Sequence, residues 1–261
     1  FFHIAMDTLQ NLDVFLDCGA FSAFTQGQPL GLDKYIKFVH EWKHALTVYA
    51  CLDVIGDPNA SWENQLEMEK QGLTPLPCFH VAMGENIAWL KRYIDRYEYF
   101  CFGGMVRGGG QLLDTKQLLP ALDEAFSLLR TPDGTPRCRI HGYGITAIPM
   151  MLRYPWYSVD STSWLSGGRF GHCYVWLDDV PYQIVFSQES QMQAIDGKHF
   201  DTITAAEQEQ VEEYVVAHGF TLTQMREDYK ARNLLNVDFY KELEQRPSGA
   251  DIGRWSRGFG L

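Results

Sequence analysis

Tyr157-Ser158-Val159-Asp160-Ser161-Thr162-Ser163-Trp164 decides how this chain is read. A short apolar run ends in one carboxylate and passes directly into small hydroxyl residues. A strand that delivers an acidic side chain at its C-terminal tip is how an α/β barrel carries a reactive group to its mouth. The same pattern recurs upstream, in Val14-Phe15-Leu16-Asp17, Thr47-Val48-Tyr49-Ala50-Cys51-Leu52-Asp53 and Leu76-Pro77-Cys78-Phe79-His80. Tyr99-Phe100-Cys101-Phe102-Gly103 and Cys138-Arg139-Ile140-His141-Gly142 complete the set. Each run ends in a polar residue or a glycine.

Between the runs lie helical patterns. Residues 33–46 place Tyr35, Ile36, Val39, Trp42 and Leu46 on one face. Asp57-Pro58 reads as an N-cap with proline at the first position of a helix to Gln71. Residues 84–97 gather Ile87, Leu90 and Ile94, and Asp114 or Thr115 opens a helix to Arg130, closed by the turn Thr131-Pro132-Asp133-Gly134. Residues 144–154 make a short helix leading into the Asp160 strand. Strand-then-helix alternation predicts a parallel sheet, and the expected fold is α/β, a TIM-type (β/α)8 barrel. Six such units are visible, so either the first strands of the eight lie upstream of Phe1, the preferred expectation in a chain that opens without Met, or the barrel is incomplete or altered.

After Trp176 the pattern changes. Residues 182–187 form one more apolar run, and then Thr204 with Glu207 and Thr221 with Gln224 make capping boxes for helices towards His218 and Glu244. The expected organisation is a barrel over residues 1–187 and an α-helical C-terminal extension of the same unit over 188–261. The Gly- and Arg-containing tail from Ser248 to Leu261 is expected to be loosely ordered.

With 261 residues, 46% of them hydrophobic, the chain can bury one sizeable core. No apolar run approaches the roughly 20 residues that span a bilayer, and Phe1 is not followed by a signal-peptide pattern. A soluble, intracellular protein is expected. The six cysteines show no Cys-x-x-Cys spacing and read as reduced core thiols. Net charge −11, from 33 acidic and 22 basic side chains, gives no global attraction to a polyanion. A nucleic-acid partner must be gripped locally.

In a parallel barrel the strand tips converge, so Asp17, Asp53, His80, Gly103-Gly104, His141-Gly142 and Asp160 become one pocket. Carboxylates that share a pocket repel, their pKa values spread, and one can carry a proton while another stays an anionic nucleophile. Each strand-end Asp taken singly can equally be a helix cap. The pair Asp17 and Asp160 also fits the acid and nucleophile of a barrel glycoside hydrolase.

Asp17-Cys18-Gly19-Ala20-Phe21-Ser22 resembles the Asp-Ser-Gly-Gly-aromatic-Gln motif of the tRNA-guanine transglycosylase family. Phe102-Gly103-Gly104-Met105 resembles its Gly-Gly-Leu strand end, His141-Gly142-Tyr143-Gly144 its Met-Gly-Val-Gly, and Val159-Asp160 with Arg169 its Phe-Asp-Cys-Val element and following arginine. The motifs occur in the family's order over residues 14–172. The resemblance implies a base exchange in which Asp160 attacks the sugar C1′ and holds it covalently, with Asp17 as general acid/base. It places Asp53 at the donor edge of a guanine-like base, His80 at the base carbonyl, and Phe21 and His141 on the two faces of the base. Gly103 and Gly104 would offer backbone to the base, and Arg169 would meet a phosphate.

Departures from the family shape the rest of the expectation. The tRNA-acting members carry a zinc site after the nucleophile, whereas here only His172-Cys173 falls in that region, too few ligands for a tetrahedral site. No metal and no cofactor are expected. Together with Ser161-Thr162-Ser163 after Asp160, this resembles the shortened bacteriophage and bacterial paralogues that insert 7-deazaguanines into DNA. The expected partners are therefore DNA, with tRNA as the alternative, and a free 7-deazaguanine base; a homo-oligomer or a protein partner would supply further surface. A barrel that binds deazapurines or nucleic acid without turnover is the non-enzymatic alternative.

Overall fold

The computed structural model describes residues 13–20, 27, 30–81, 85–105, 115–145, 147–160, 163–190 and 197–246. Packing divides them into two units. One takes in the described residues up to 145 together with 156–160; the other takes in 147–155 and those after 160.

The first unit alternates strand and helix. β1 (Phe15–Leu16), α1 (Leu32–Trp42), β2 (Val48–Tyr49), α2 (Pro58–Lys70), β3 (Cys78–His80), α3 (Ile87–Arg96), β4 (Tyr99–Gly103), α4 (Thr115–Leu129), β5 (Arg139–Gly142) and β6 (Ser158–Val159) follow in order. α1 buries Tyr35, Ile36 and Val39, the stripe its spacing predicts. α2 starts on Asp57, whose side chain accepts the Ala60 N–H at 3.0 Å, and α3 starts on Asn86, which accepts from Ala88 and Trp89.

All strand pairings in this unit are parallel: β1 with β2, and β3-β4-β5-β6 in sequence order. A parallel bridge from Ala50 to Leu76 joins the two groups. The unit is thus mixed α/β with sequential parallel strands. Along β4 the side chains alternate. Phe100 and Phe102 meet Tyr93 and Phe126 of the helices, while Cys101 packs with Cys78, Leu76 and Tyr99 on the other face. Both faces are apolar because both are covered. On that inner face the Phe15 ring of β1 stacks on His141 of β5 with centroids 4.5 Å apart. The sheet therefore curls until its first strand meets its fifth. Among the described residues no hydrogen bonds close β6 onto β1.

The second unit contains α5 (Ile148–Arg153), α6 (Ser166–Phe170), β7 (His172–Leu177), β8 (Val180–Val185), α7 (Ala205–Ala217), α8 (Leu222–Glu227) and α9 (Tyr229–Glu244). β7 and β8 form an antiparallel hairpin whose two turn residues, Asp178 and Asp179, have φ of 48° and 65°. Positive φ at both turn positions is the I′-type geometry that matches strand twist. Cys173, Val175, Leu177, Ile184 and Phe186 pack with Val211, Val215, Met225 and Leu235 of the helices. This unit thus takes in the hairpin, upstream of the residue-187 boundary expected from sequence, and β7 was not among the expected strands. Its inward alternation of Cys173, Val175 and Leu177 before Asp178-Asp179 carried the signal.

Thr204 and Thr221 cap their helices with the reciprocal Glu207 and Gln224 contacts the sequence predicts. The expected continuous helix to Glu244 breaks at Asp228, which turns extended and caps α9 by accepting the Lys230 N–H at 2.8 Å. Buried Arg232 then donates to the carbonyls of Met225 (2.7 Å) and Arg226 (3.2 Å), which close α8. All six cysteines are free and buried. Among the described residues no helix is long and apolar enough to cross a membrane.

Candidate active site

The strand tips of the first unit assemble the site. Asp17 follows β1, and its carboxyl sits close enough to Asp53 and Asp160 to feel both charges. Its pKa is raised, first by burial against the protein packed behind it, then by Asp53 and, more weakly, by Asp160; hydrogen bonds from the Gly19 and Cys18 amides pull the other way. Its outer side remains exposed, so it can exchange protons with a ligand.

Asp53, beyond β2, is fixed from both sides. Its Oδ1 accepts the Cys18 S–H at 2.8 Å and its Oδ2 lies 2.7 Å from His80 Nε2. The other imidazole nitrogen, Nδ1, is 2.8 Å from Glu85 Oε1. The His80 side chain is 2% exposed and that of Glu85 0%. Burial disfavours the imidazolium, but the hydrogen bonds to the Asp53 and Glu85 carboxylates outweigh it, and the His80 pKa is raised. A cation between two carboxylates is the arrangement this favours. The Cys18 and Cys78 thiols are pushed well up, chiefly by burial, and stay neutral. Asp53, Cys78 and His80 bring donor atoms within 4.8 Å of one another, a trio able to hold a transition metal. With both His80 nitrogens facing carboxylates, the same atoms also form a continuous hydrogen-bond network around a proton.

Gly103 ends β4 where an added Cβ would lie 2.7 Å from Cys78 Sγ and 3.3 Å from His80 Cδ2. Its missing side chain makes room for that trio. Gly104 turns the chain with φ +70°. Gly142 points to the opposite face, where a Cβ would meet Ile145 and Trp156 at 2.8 and 2.9 Å. The glycines at the mouth thus have packing reasons beside any approach to a base.

Asp160 stands at the tip of β6 with its side chain 59% exposed. The Gly144 N–H donates to its Oδ1 at 2.8 Å, and Gly144 takes φ +65° to do so. His141 Nε2 lies 3.5 Å from the same oxygen. The His141 ring is buried, stacked on Phe15 and edge-on to Tyr143, with centroids 4.9 Å apart for the latter. One of its faces is covered by Phe15, and its two nitrogens face Ser158 and Asp160.

Phe21 lies outside the described residues. Arg169 belongs to α6 of the second unit, where its guanidinium sits over the Phe170 ring. Asp17, Asp53, His80, Gly103, His141 and Asp160 are brought together in the first unit. Glu85 is the residue of this cluster that sequence reading missed. It was absorbed into the expected helix 84–97, and only its place shortly after the His80 tip hinted otherwise.

Fold and site together define a class: parallel α/β units with three carboxylates at the strand tips, one raised towards proton transfer and one presented to solvent. Comparison with known proteins finds no family model that matches the chain and no curated protein that resembles it significantly.

Proposed function

We propose that this chain is a (β/α)-barrel base-exchange transglycosylase that replaces guanine in DNA with a 7-deazaguanine of the preQ0 type through a covalent Asp160 intermediate. One observation carries the reading: Asp17, with a raised pKa, lies within electrostatic reach of an exposed Asp160 whose Oδ1 is already held by Gly144. In the first half-reaction Asp160 bonds to C1′ as the glycosidic C–N bond breaks, and Asp17 protonates the departing guanine. In the second, Asp17 takes the proton from the incoming base, whose nitrogen bonds to C1′ as the C1′–O bond to Asp160 breaks.

Asp53 suits an acceptor of base N–H groups because His80 and Glu85 hold it in place. The Cys18 S–H on its Oδ1 is a weak donor that a base amide can displace. Sequential parallel strands and the Phe15 contact with His141 support a barrel. Charge −11 favours local phosphate contacts and a protein partner or second copy for further grip. The cytoplasm of a bacterial or phage-infected cell supplies such a substrate.

The test is release of label from guanine-labelled DNA, with tRNA in parallel, on addition of a 7-deazaguanine. Exchange into DNA with loss of all activity in Asp160→Asn is expected, together with a covalent DNA adduct on a denaturing gel. Exchange into tRNA alone would reassign the substrate. Release of label without any incoming base would favour a hydrolase.

A further inference from the structure

We propose that His141 is a positioning residue for Asp160: it donates its Nε2–H to Oδ1, which leaves Oδ2 as the atom that bonds to the sugar. The proposal rests on the transglycosylase reading only for the identity of the reaction; the pairing itself is a property of the free protein.

A hydrogen-bond chain sets the tautomer. The Tyr99 hydroxyl lies 3.2 Å from Ser158 Oγ, and Ser158 Oγ lies 2.8 Å from His141 Nδ1. A phenol is the better donor of the two hydroxyls, so Tyr99 donates to Ser158 and Ser158 donates to Nδ1. A neutral imidazole with an acceptor Nδ1 carries its proton on Nε2. That nitrogen is buried, and among the described residues Asp160 Oδ1 at 3.5 Å is the polar atom it faces. The separation is longer than a made hydrogen bond, as catalytic contacts in ligand-free sites commonly are before they tighten. Stacking on Phe15 and the edge of Tyr143 hold the ring at this angle. His141 and Ser158 sit opposite one another in the parallel register of β5 and β6, so the chain is built into the sheet.

The consequence is a division of labour within one carboxylate. Oδ1 receives two donors, Gly144 N–H and His141 Nε2–H, while Oδ2 remains to attack C1′ as the bond to guanine breaks. In the resulting ester Oδ1 is the carbonyl oxygen. When the incoming base attacks C1′ and the C1′–Oδ2 bond breaks, its electron pair returns to the carboxylate, and the two donors stabilise the charge that develops there. His141 therefore acts chiefly on breakdown of the covalent intermediate.

The experiment has two arms. In the first, the DNA adduct is accumulated without a second base, then chased with a 7-deazaguanine, and its formation and decay are timed separately. His141→Ala is expected to slow decay by about 100-fold or more and formation by much less. His141→Gln, which keeps a side-chain N–H donor, should recover part of that loss, and Ser158→Ala and Tyr99→Phe should slow decay less than His141→Ala. Equal slowing of both steps, or a Gln variant as slow as Ala, would overturn the proposal. In the second arm, 15N NMR of histidine-labelled protein without substrate reads the tautomer directly, with the His141→Gln spectrum giving the assignment. A protonated Nε2 and acceptor Nδ1, lost in Ser158→Ala, are expected; a protonated Nδ1 sinks the proposal whatever reaction the protein performs. Absence of any wild-type adduct alongside the expected tautomer would count against the transglycosylase reading, and the NMR result would still decide the pairing.

Discussion

Glu85 Oε1 and His80 Nδ1 lie 2.8 Å apart in a space where the Glu85 side chain has no solvent exposure, directly behind the nitrogen that faces Asp53. A carboxyl group buried so completely is held there by its hydrogen bond to the imidazole beside it. Glu85→Leu is therefore expected to destabilise the fold by about 1–3 kcal/mol, since it leaves the buried Nδ1 of His80 without its partner while Asp53 still pairs Nε2. Glu85→Gln keeps the shape, removes the charge and lowers the His80 pKa. Denaturant midpoints of the two variants check the ordering; equal stability of Leu and wild type would refute it.

The negative charge of Asp53 helps raise the Asp17 pKa. Removing it in Asp53→Asn should lower that pKa. A first half-reaction that needs the proton on Asp17 then loses rate at a lower pH, so the alkaline limb of adduct formation moves acidward. The position of the limb is the measurement, because the amplitude also falls when base contacts are lost. A limb that stays in place, or moves alkaline, contradicts the assignment of Asp17.

Gly103 gives Cys78 and His80 their room. Gly103→Ala forces a Cβ to within 2.7 Å of Cys78 Sγ, an overpacking expected to cost about 1–3 kcal/mol. Cys78→Ala removes the blocking sulfur, so the double variant should recover most of the loss. A double-variant cycle with no coupling would show that the glycine serves only the approach of a ligand.

In the second unit, burial first and Arg232 next lower the His172 pKa to about 4. The unfolded chain protonates this residue near 6.5, so it binds more protons than the folded state between those values. Stability therefore falls as pH drops through that window, by up to about 3 kcal/mol at pH 4. Comparing the pH dependence of urea midpoints in wild type and His172→Gln isolates the contribution. An unchanged slope between pH 6.5 and 4 would exclude it.

The strands and caps of the first unit were legible because their signals are local. A short apolar run, a polar tip, and Asp57-Pro58 at the start of a helical pattern fix short-range geometry with little help from the rest of the chain. β7 escaped because its run ends at Asp178-Asp179, a turn whose fitness depends on positive φ and not on the usual glycine. The break at Asp228 escaped because it depends on Arg232 reaching back to the carbonyls of α8.

For the site, the sequence by itself determined which acids and histidines stand at strand tips, since side-chain alternation along a strand is a property of the backbone. Only the tertiary structure decided what each one meets. Asp160 could be read as an isolated acid at the end of residues 157–160, but its Oδ1 is claimed by Gly144 and approached by His141. Asp53 could be read as a lone acceptor, but His80 and a buried Glu85 hold it. Those relationships join residues 5, 16, 19 and 27 positions apart. They exist because the sheet curls and the strand tips converge, and convergence through space leaves no periodic mark on the chain.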